Sequence, residues 1–204
     1  MSESEQYLWE PYDVKKIQAL MQEFDRPWCI AGGYAIELFV GESFRPHGDI
    51  DIFLFREDQL HIQTYFQDWD MHRAALPGLK AWKKGEYLEG KIRDIWVREK
   101  VGAPWRFQLM LNDRKAGRWI FKRNPAIGGA IQDMFLHSTS AVPYLAPEIQ
   151  LLYKAKATVS EKDQWDFDRA LPLMSEERIH LLRDWLMIQF PNGHAWIKKV
   201  NQFL

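Results

Sequence analysis

Apolar residues first recur at helical spacing at Ile17, Leu20, Met21 and Phe24, and Asp13 stands where it can cap a helix over Val14 to Phe24. A short, wholly apolar run follows, Trp28 to Ala31, and predicts a buried strand. Gly32-Gly33 breaks it, and the chain passes into a helix through Tyr34, Ala35, Ile36, Glu37, Leu38 and Phe39 that Gly41 ends. Asp49 to Phe55 predicts a second strand, apolar on both faces beyond its start, and Glu57 to Phe66 a helix. Ile92 to Arg98 and Trp105 to Leu111 predict a hairpin turning through Glu99 to Pro104, with a further strand over Arg118 to Lys122. His137 to Pro143 is small and polar and predicts a linker.

Beyond it the periodicity is helical. Pro147 suits a helix start, and Ile149, Leu152, Tyr153 and Lys156 follow on one stripe. Helices are expected over Glu161 to Leu171 and Glu176 to Ile188, with a short one after Asn192-Gly193. The pattern predicts an α+β fold: a mixed front domain over residues 1–138 and a helical back domain over 139–204.

Charge narrows the partners. A net charge of −1 without a basic block argues against non-specific nucleic-acid binding, which needs a broad cationic surface. The single cysteine, Cys29, lies in an apolar run and rules out an intrachain disulfide. No stretch approaches ~18 apolar residues, and the polar, acidic start has no signal core. The expectation is a cytoplasmic protein off the membrane, its oligomeric state open. Ten tryptophans in 204 residues must be buried or cover flat ligands.

The chemistry concentrates in Gly32-Gly33-Tyr34-Ala35 and His47-Gly48-Asp49-Ile50-Asp51. Alternation along a strand puts Asp49 and Asp51 on one face. Two carboxylates at the mouth of an apolar strand call for a cation, and Mg²⁺ takes oxygen ligands and bridges to phosphates. A strand that ends in Gly-Gly and enters a helix brings N–H groups and the positive helix end toward a phosphate. Together these are parts for phosphoryl-type transfer from an NTP, ATP or GTP, with divalent ions about 3.5–4 Å apart on the two aspartates.

These residues, with Glu37, Gly41, Arg45 and Pro46, resemble the core motif of aminoglycoside 2''-nucleotidyltransferases and the related lincosamide nucleotidyltransferases. Tyr144 to Lys156 and Lys162-Asp163 resemble that family's helical part. The resemblance implies a polymerase-β-like nucleotidyltransferase domain followed by a helical domain. It implies magnesium on Asp49 and Asp51, the triphosphate at Gly32 and Gly33, and a small hydroxylated acceptor. It also implies a third carboxylate on Trp105 to Leu111, where Gln108 stands instead and cannot ionise. Asp94 is the expected substitute, placed by the hairpin opposite Met110, one pair along from Gln108 and on the same face.

Four further residues carry two readings each. Arg45 is expected at a phosphate oxygen, or is a surface arginine. Lys156 reaches the triphosphate or lays its stem along the protein. Glu148 serves its helix dipole or meets a cationic acceptor. Asp166 touches ligand or pairs with a lysine such as Lys156, while Asp163 with Ser160 approximates a capping box. An antibiotic-modifying enzyme, a nucleotidyltransferase for another acceptor such as a protein side chain, and a non-catalytic nucleotide-binding module remain the three alternatives.

Overall fold

The structure is a computed structural model and describes residues 7–75 and 78–204. Along the chain run α1 (Val14–Leu20), β1 (Trp28–Ala31), α2 (Gly32–Val40), β2 (Asp51–Phe55), a 3₁₀ turn at Arg56–Asp58 and α3 (Gln59–Tyr65). Then come β3 (Asp70–Ala75), β4 (Gly78–Ala81), β5 (Asp94–Arg98), β6 (Phe107–Asn112), β7 (Arg114–Lys115), β8 (Arg118–Ile120) and β9 (Gly128–Ala130). β10 (Phe135–His137), β11 (Pro143–Leu145), α4 (Pro147–Lys154), α5 (Glu161–Ala170), α6 (Glu176–Gln189) and α7 (Ala195–Val200) complete it. The chain divides into two compact units, Met1–Ile30 with Pro46–Arg114, and Ala31–Arg45 with Lys115–Leu204. The division thus falls at other places than residue 138, because the helix after the glycine turn goes with the later chain.

In the first unit the strand order is β1-β2-β6-β5-β3-β4. β2 and β6 are parallel, Asp51 opposite Gln108, while β5 runs antiparallel to both β6 and β3. Ile52, Leu54, Ile95, Val97, Leu109 and Leu111 are buried, the alternate residues the strand period sends to one face. Asp13 caps α1 by accepting from Lys16 N–H at 2.7 Å, and Tyr65 of α3 donates to Leu20 O at 2.7 Å. The polar residues of α3 have a structural task. Gln59 donates to Leu88 O and accepts from Leu88 N–H, and Gln63 does the same with Lys83 O and Gly85 N–H. These side chains satisfy the backbone of a stretch that has no sheet partner.

The second unit is built round α4, all eight of whose residues are buried. A helix buried on every side must find partners for its polar members, and Glu148, Gln150 and Lys154 each have one. The linker expected at residues 137–143 is instead the turn of a hairpin, with β10 and β11 antiparallel and His137 opposite Pro143. Its small polar residues close the turn: Ser138 N–H donates to Val142 O at 3.0 Å, Val142 N–H to the Ser138 hydroxyl, and Ala141 takes φ +58. Strands β3, β4, β10 and β11 lack the clean period that marks a strand in sequence. Among the described residues no helix is long and apolar enough to cross a membrane.

Candidate active site

The first unit carries the acid pair. β2 is an interior strand whose Ile52, Phe53, Leu54 and Phe55 are buried, and Asp51 opens it half-buried. Gln108 N–H donates to Ile50 O at 2.9 Å, so the sheet register begins at Ile50. Asp51 is therefore held by the sheet, whereas Asp49 lies exposed just ahead of it.

Next to Asp51 stands Gln108. Its Nε2 donates to Asp51 Oδ1 at 2.9 Å, and its Oε1 accepts from Trp96 Nε1 at 2.8 Å. An indole N–H can only donate. It must therefore face the amide oxygen, and that leaves the amide nitrogen toward the carboxylate. Trp96 is itself wedged edge-on against Trp9, centroids 4.9 Å apart, and Trp105 at 5.7 Å. The sequence singles out Gln108 but not Trp96. The signal was there, since residues paired across a hairpin at equal distance from Gly102 share a face, and Trp96 is the partner of Gln108.

Asp94 sits opposite Met110, as the hairpin implied, two residues along from the Trp96–Gln108 pair and on the same face. That register removes it from the acid pair. Asp94 is two strands from Asp51 and two residues further along, level with Phe53 and away from Asp49. At about 4.8 Å per strand and about 3.3 Å per residue, its Cα is roughly 12 Å from that of Asp51. Two carboxylates sharing one metal cannot span this, so Asp94 does not stand in for the third acid. The neighbouring Arg93 and Arg98 reach Asp113 at 2.8 Å and Asp70 at 2.6 Å.

The second unit carries the glycine turn. β1 runs straight into α2, with Gly32 at φ +68, a left-handed conformation that glycine adopts without strain. The Gly32 N–H is already engaged: it donates at 2.8 Å to Oε1 of Gln150, a buried residue of α4. Gly41 ends α2 at φ +87, its N–H on Glu37 O, and the Glu37 carboxylate accepts from the N–H groups of Phe44 and Arg45.

Arg45 turns inward. Its Nε and Nη2 donate to the two oxygens of Asp166 at 2.7 and 2.8 Å, and its side chain is 7% exposed. This pairing, above all, holds the guanidinium above its ordinary pKa. Asp166 is fully buried and also meets Lys154 Nζ at 2.7 Å. The lysine that pairs with it is thus Lys154, not Lys156. α4 ends at Lys154, where Arg123 donates to the carbonyls of Tyr153 and Ala155. Lys156 follows the helix, 58% exposed, with Asp163 Oδ2 at 3.5 Å. Burial pushes the Asp163 carboxyl up, but the Ser160 hydroxyl and the ammonium groups of Lys154 and Lys156 outweigh it and hold it below the ordinary value. Ser160 caps α5 as its spacing from Asp163 suggested.

Glu148 is buried and paired with Arg178. Burial raises its pKa more than Arg178 lowers it, and its second oxygen has no hydrogen-bond partner. Arg45, Glu148 and Asp166 thus face the interior of their own unit, where their partners are protein groups.

Asp49 and Asp51 fit a magnesium ion. Mg²⁺ is commonly held by one or two carboxylates, with substrate phosphates and water completing its octahedron. Among the described residues no group of three His, Cys, Asp or Glu side chains gathers as a metal site.

Solved structures share this mixed α+β fold. The lincosamide antibiotic adenylyltransferase LnuA in its lincomycin-bound form is 17% identical, with 85% of this chain and 99% of that one covered at a TM-score of 0.52. ANT(2")-Ia in complex with adenylyl-2"-tobramycin is 16% identical, with 84% and 94% covered at 0.54. An antigenic nucleotidyltransferase-like protein from Paracoccidioides brasiliensis is 14% identical, with 93% and 90% covered at 0.50. At such identities the likeness is one of fold.

The family model described as aminoglycoside-2''-adenylyltransferase matches residues 13–74. The resemblance carried by Gly32-Gly33 and Asp49-Ile50-Asp51 lies wholly inside that stretch, and Asp94 and Gln108 lie beyond it. A comparison with curated proteins finds no match.

Proposed function

We propose that this chain is a magnesium-dependent nucleotidyltransferase. It moves a nucleoside monophosphate from an NTP to a hydroxyl of a small molecule, an aminoglycoside or lincosamide antibiotic being the first acceptor class to try. The observation that carries the reading is the half-buried Asp51 at the mouth of an interior strand, with Asp49 just ahead of it, in a stretch the family model matches. ATP is the first donor to test, since two of the similar structures are of adenylyl-transferring proteins.

In this reading Asp49 and Asp51 hold the cation, and the role of the glycine turn, taken from the resemblance, is to bind triphosphate. Because Gly32 N–H is taken by Gln150, the phosphate-side donor in this reading is the N–H of Gly33 in the first turn of α2. When bound, magnesium supplies charge neutralisation for the transferring phosphoryl group. The acceptor contacts come from groups other than Glu148 and Asp166, which are buried in ion pairs.

The test is Mg²⁺-dependent, acceptor-dependent release of pyrophosphate from ATP or GTP, with tobramycin and lincomycin among the acceptors. Asp49→Asn and Asp51→Asn are each expected to lower turnover at least a hundredfold while the fold stays intact. Near-normal turnover in either variant refutes the assignment. A second reading, a nucleotide-binding module without transfer, is favoured by Gln108, whose amide cannot take a proton from a hydroxyl. Tight Mg·ATP binding with no turnover on any acceptor, protein hydroxyls included, would establish it.

A further inference from the structure

The neighbour of Asp51 is a hydrogen-bond donor, and that limits what the acid pair can hold. A second divalent ion close to the first would need further oxygen donors around Asp51, since two-metal sites set the ions about 3.5–4 Å apart. The side chain on the adjacent strand at this level is Gln108, whose nitrogen, not its oxygen, points at Asp51 Oδ1. An amide N–H₂ presents partial positive charge and has no lone pair to give a metal. It repels a cation on that flank and occupies one carboxylate oxygen.

The orientation is locked. Turning the amide by 180° would set its N–H₂ against the donor-only indole N–H of Trp96, and two donors facing each other lose both bonds. Trp96 cannot easily yield, because Trp9 and Trp105 pack against its ring. The other acids that the register puts on this face are distant: Asp94 is two strands away and Asp70 three, with Asp70 paired to Arg98.

We infer that the acid pair binds one divalent cation, the one that accompanies the nucleotide, and that Gln108, held by Trp96, excludes a second. Gln108 and Trp96 are positioning residues that set the metal count of the site. This inference rests on the nucleotidyltransferase reading, and its test separates the two.

The experiment is a titration of Mn²⁺, followed by electron paramagnetic resonance, into the whole chain saturated with α,β-methylene-ATP. The wild type is expected to bind one Mn²⁺ per protein–nucleotide complex, without the spectrum of a spin-coupled pair. Gln108→Glu supplies oxygens in place of the N–H₂ group and is expected to bind two, spin-coupled. Should that variant not fold, Trp96→Phe serves instead. It keeps an aromatic ring, removes the indole donor and allows the amide to turn its oxygen toward the cation, so a second, weaker Mn²⁺ is expected.

Two coupled Mn²⁺ ions in the wild type overturn the inference and leave the functional reading standing. So does a count of one in both folded variants. Failure of the wild type to bind Mn²⁺ and nucleotide together overturns both.

Discussion

Asp166→Asn decides between a ligand-binding and a structural acid. In the structure Asp166 is fully buried, accepts both hydrogen bonds of Arg45 and meets Lys154 at 2.7 Å. Lys154 also reaches Asp163 at 3.2 Å. Arg45 and Lys154 are thus paired with Asp163 and Asp166 in a buried cluster. The asparagine has nearly the same size and removes the negative charge that both Arg45 and Lys154 meet. Breaking a buried pair in this way costs about 3–5 kcal/mol, a large part of the roughly 5–15 kcal/mol that holds a domain folded. With a urea m-value of about 2–3 kcal/mol/M, the unfolding midpoint should fall by about 1–2 M. The assay is equilibrium urea denaturation at neutral pH, read by tryptophan fluorescence and circular dichroism. Arg45→Met should fall by a similar amount, and the double variant by much less than the sum, since the two share one interaction. An Asp166→Asn variant of wild-type stability that loses only acceptor or nucleotide affinity would refute the argument and return Asp166 to the ligand.

Two further outcomes follow from the second unit. Glu148 has a folded pKa above its ordinary value of 4.5, so its ionisation opposes folding: stability should decline as pH rises from about 4.5 through the higher folded value, then level off. Glu148→Gln should flatten that decline in denaturation curves taken across the range, and an unchanged profile would count against it. Gln150→Leu leaves the Gly32 N–H without its acceptor and should cost about 1–3 kcal/mol in the same assay, whereas full stability would show that the 2.8 Å bond contributes nothing.

Strong local signals were sufficient for much of this protein. Asp13 with its apolar stripe, the unbroken Trp28–Ala31 run, the glycines at 32 and 41, and the Ser160–Asp163 cap are local choices, and the structure repeats them. So is the hairpin register, because the turn at Gly102 sets Asp94 opposite Met110 and Trp96 opposite Gln108. The acid pair and the glycine turn were legible for the same reason: their chemistry is written within twenty residues of chain.

What tertiary structure alone decided concerns partners distant in sequence. α4 ends at Lys154, Arg123 from some thirty residues earlier takes the carbonyls of Tyr153 and Ala155, and Lys154 rather than Lys156 is the inward lysine. Arg45 finds Asp166 across 121 positions, and no spacing rule announces such a pair. Asp94 satisfied every rule of its hairpin, yet the parallel pairing of β2 with β6 put β6 between it and Asp51. That same pairing set Gln108 beside Asp51. A strand's own alternation determines which face a side chain takes, but only the order of strands in the sheet determines which carboxylates can share an ion.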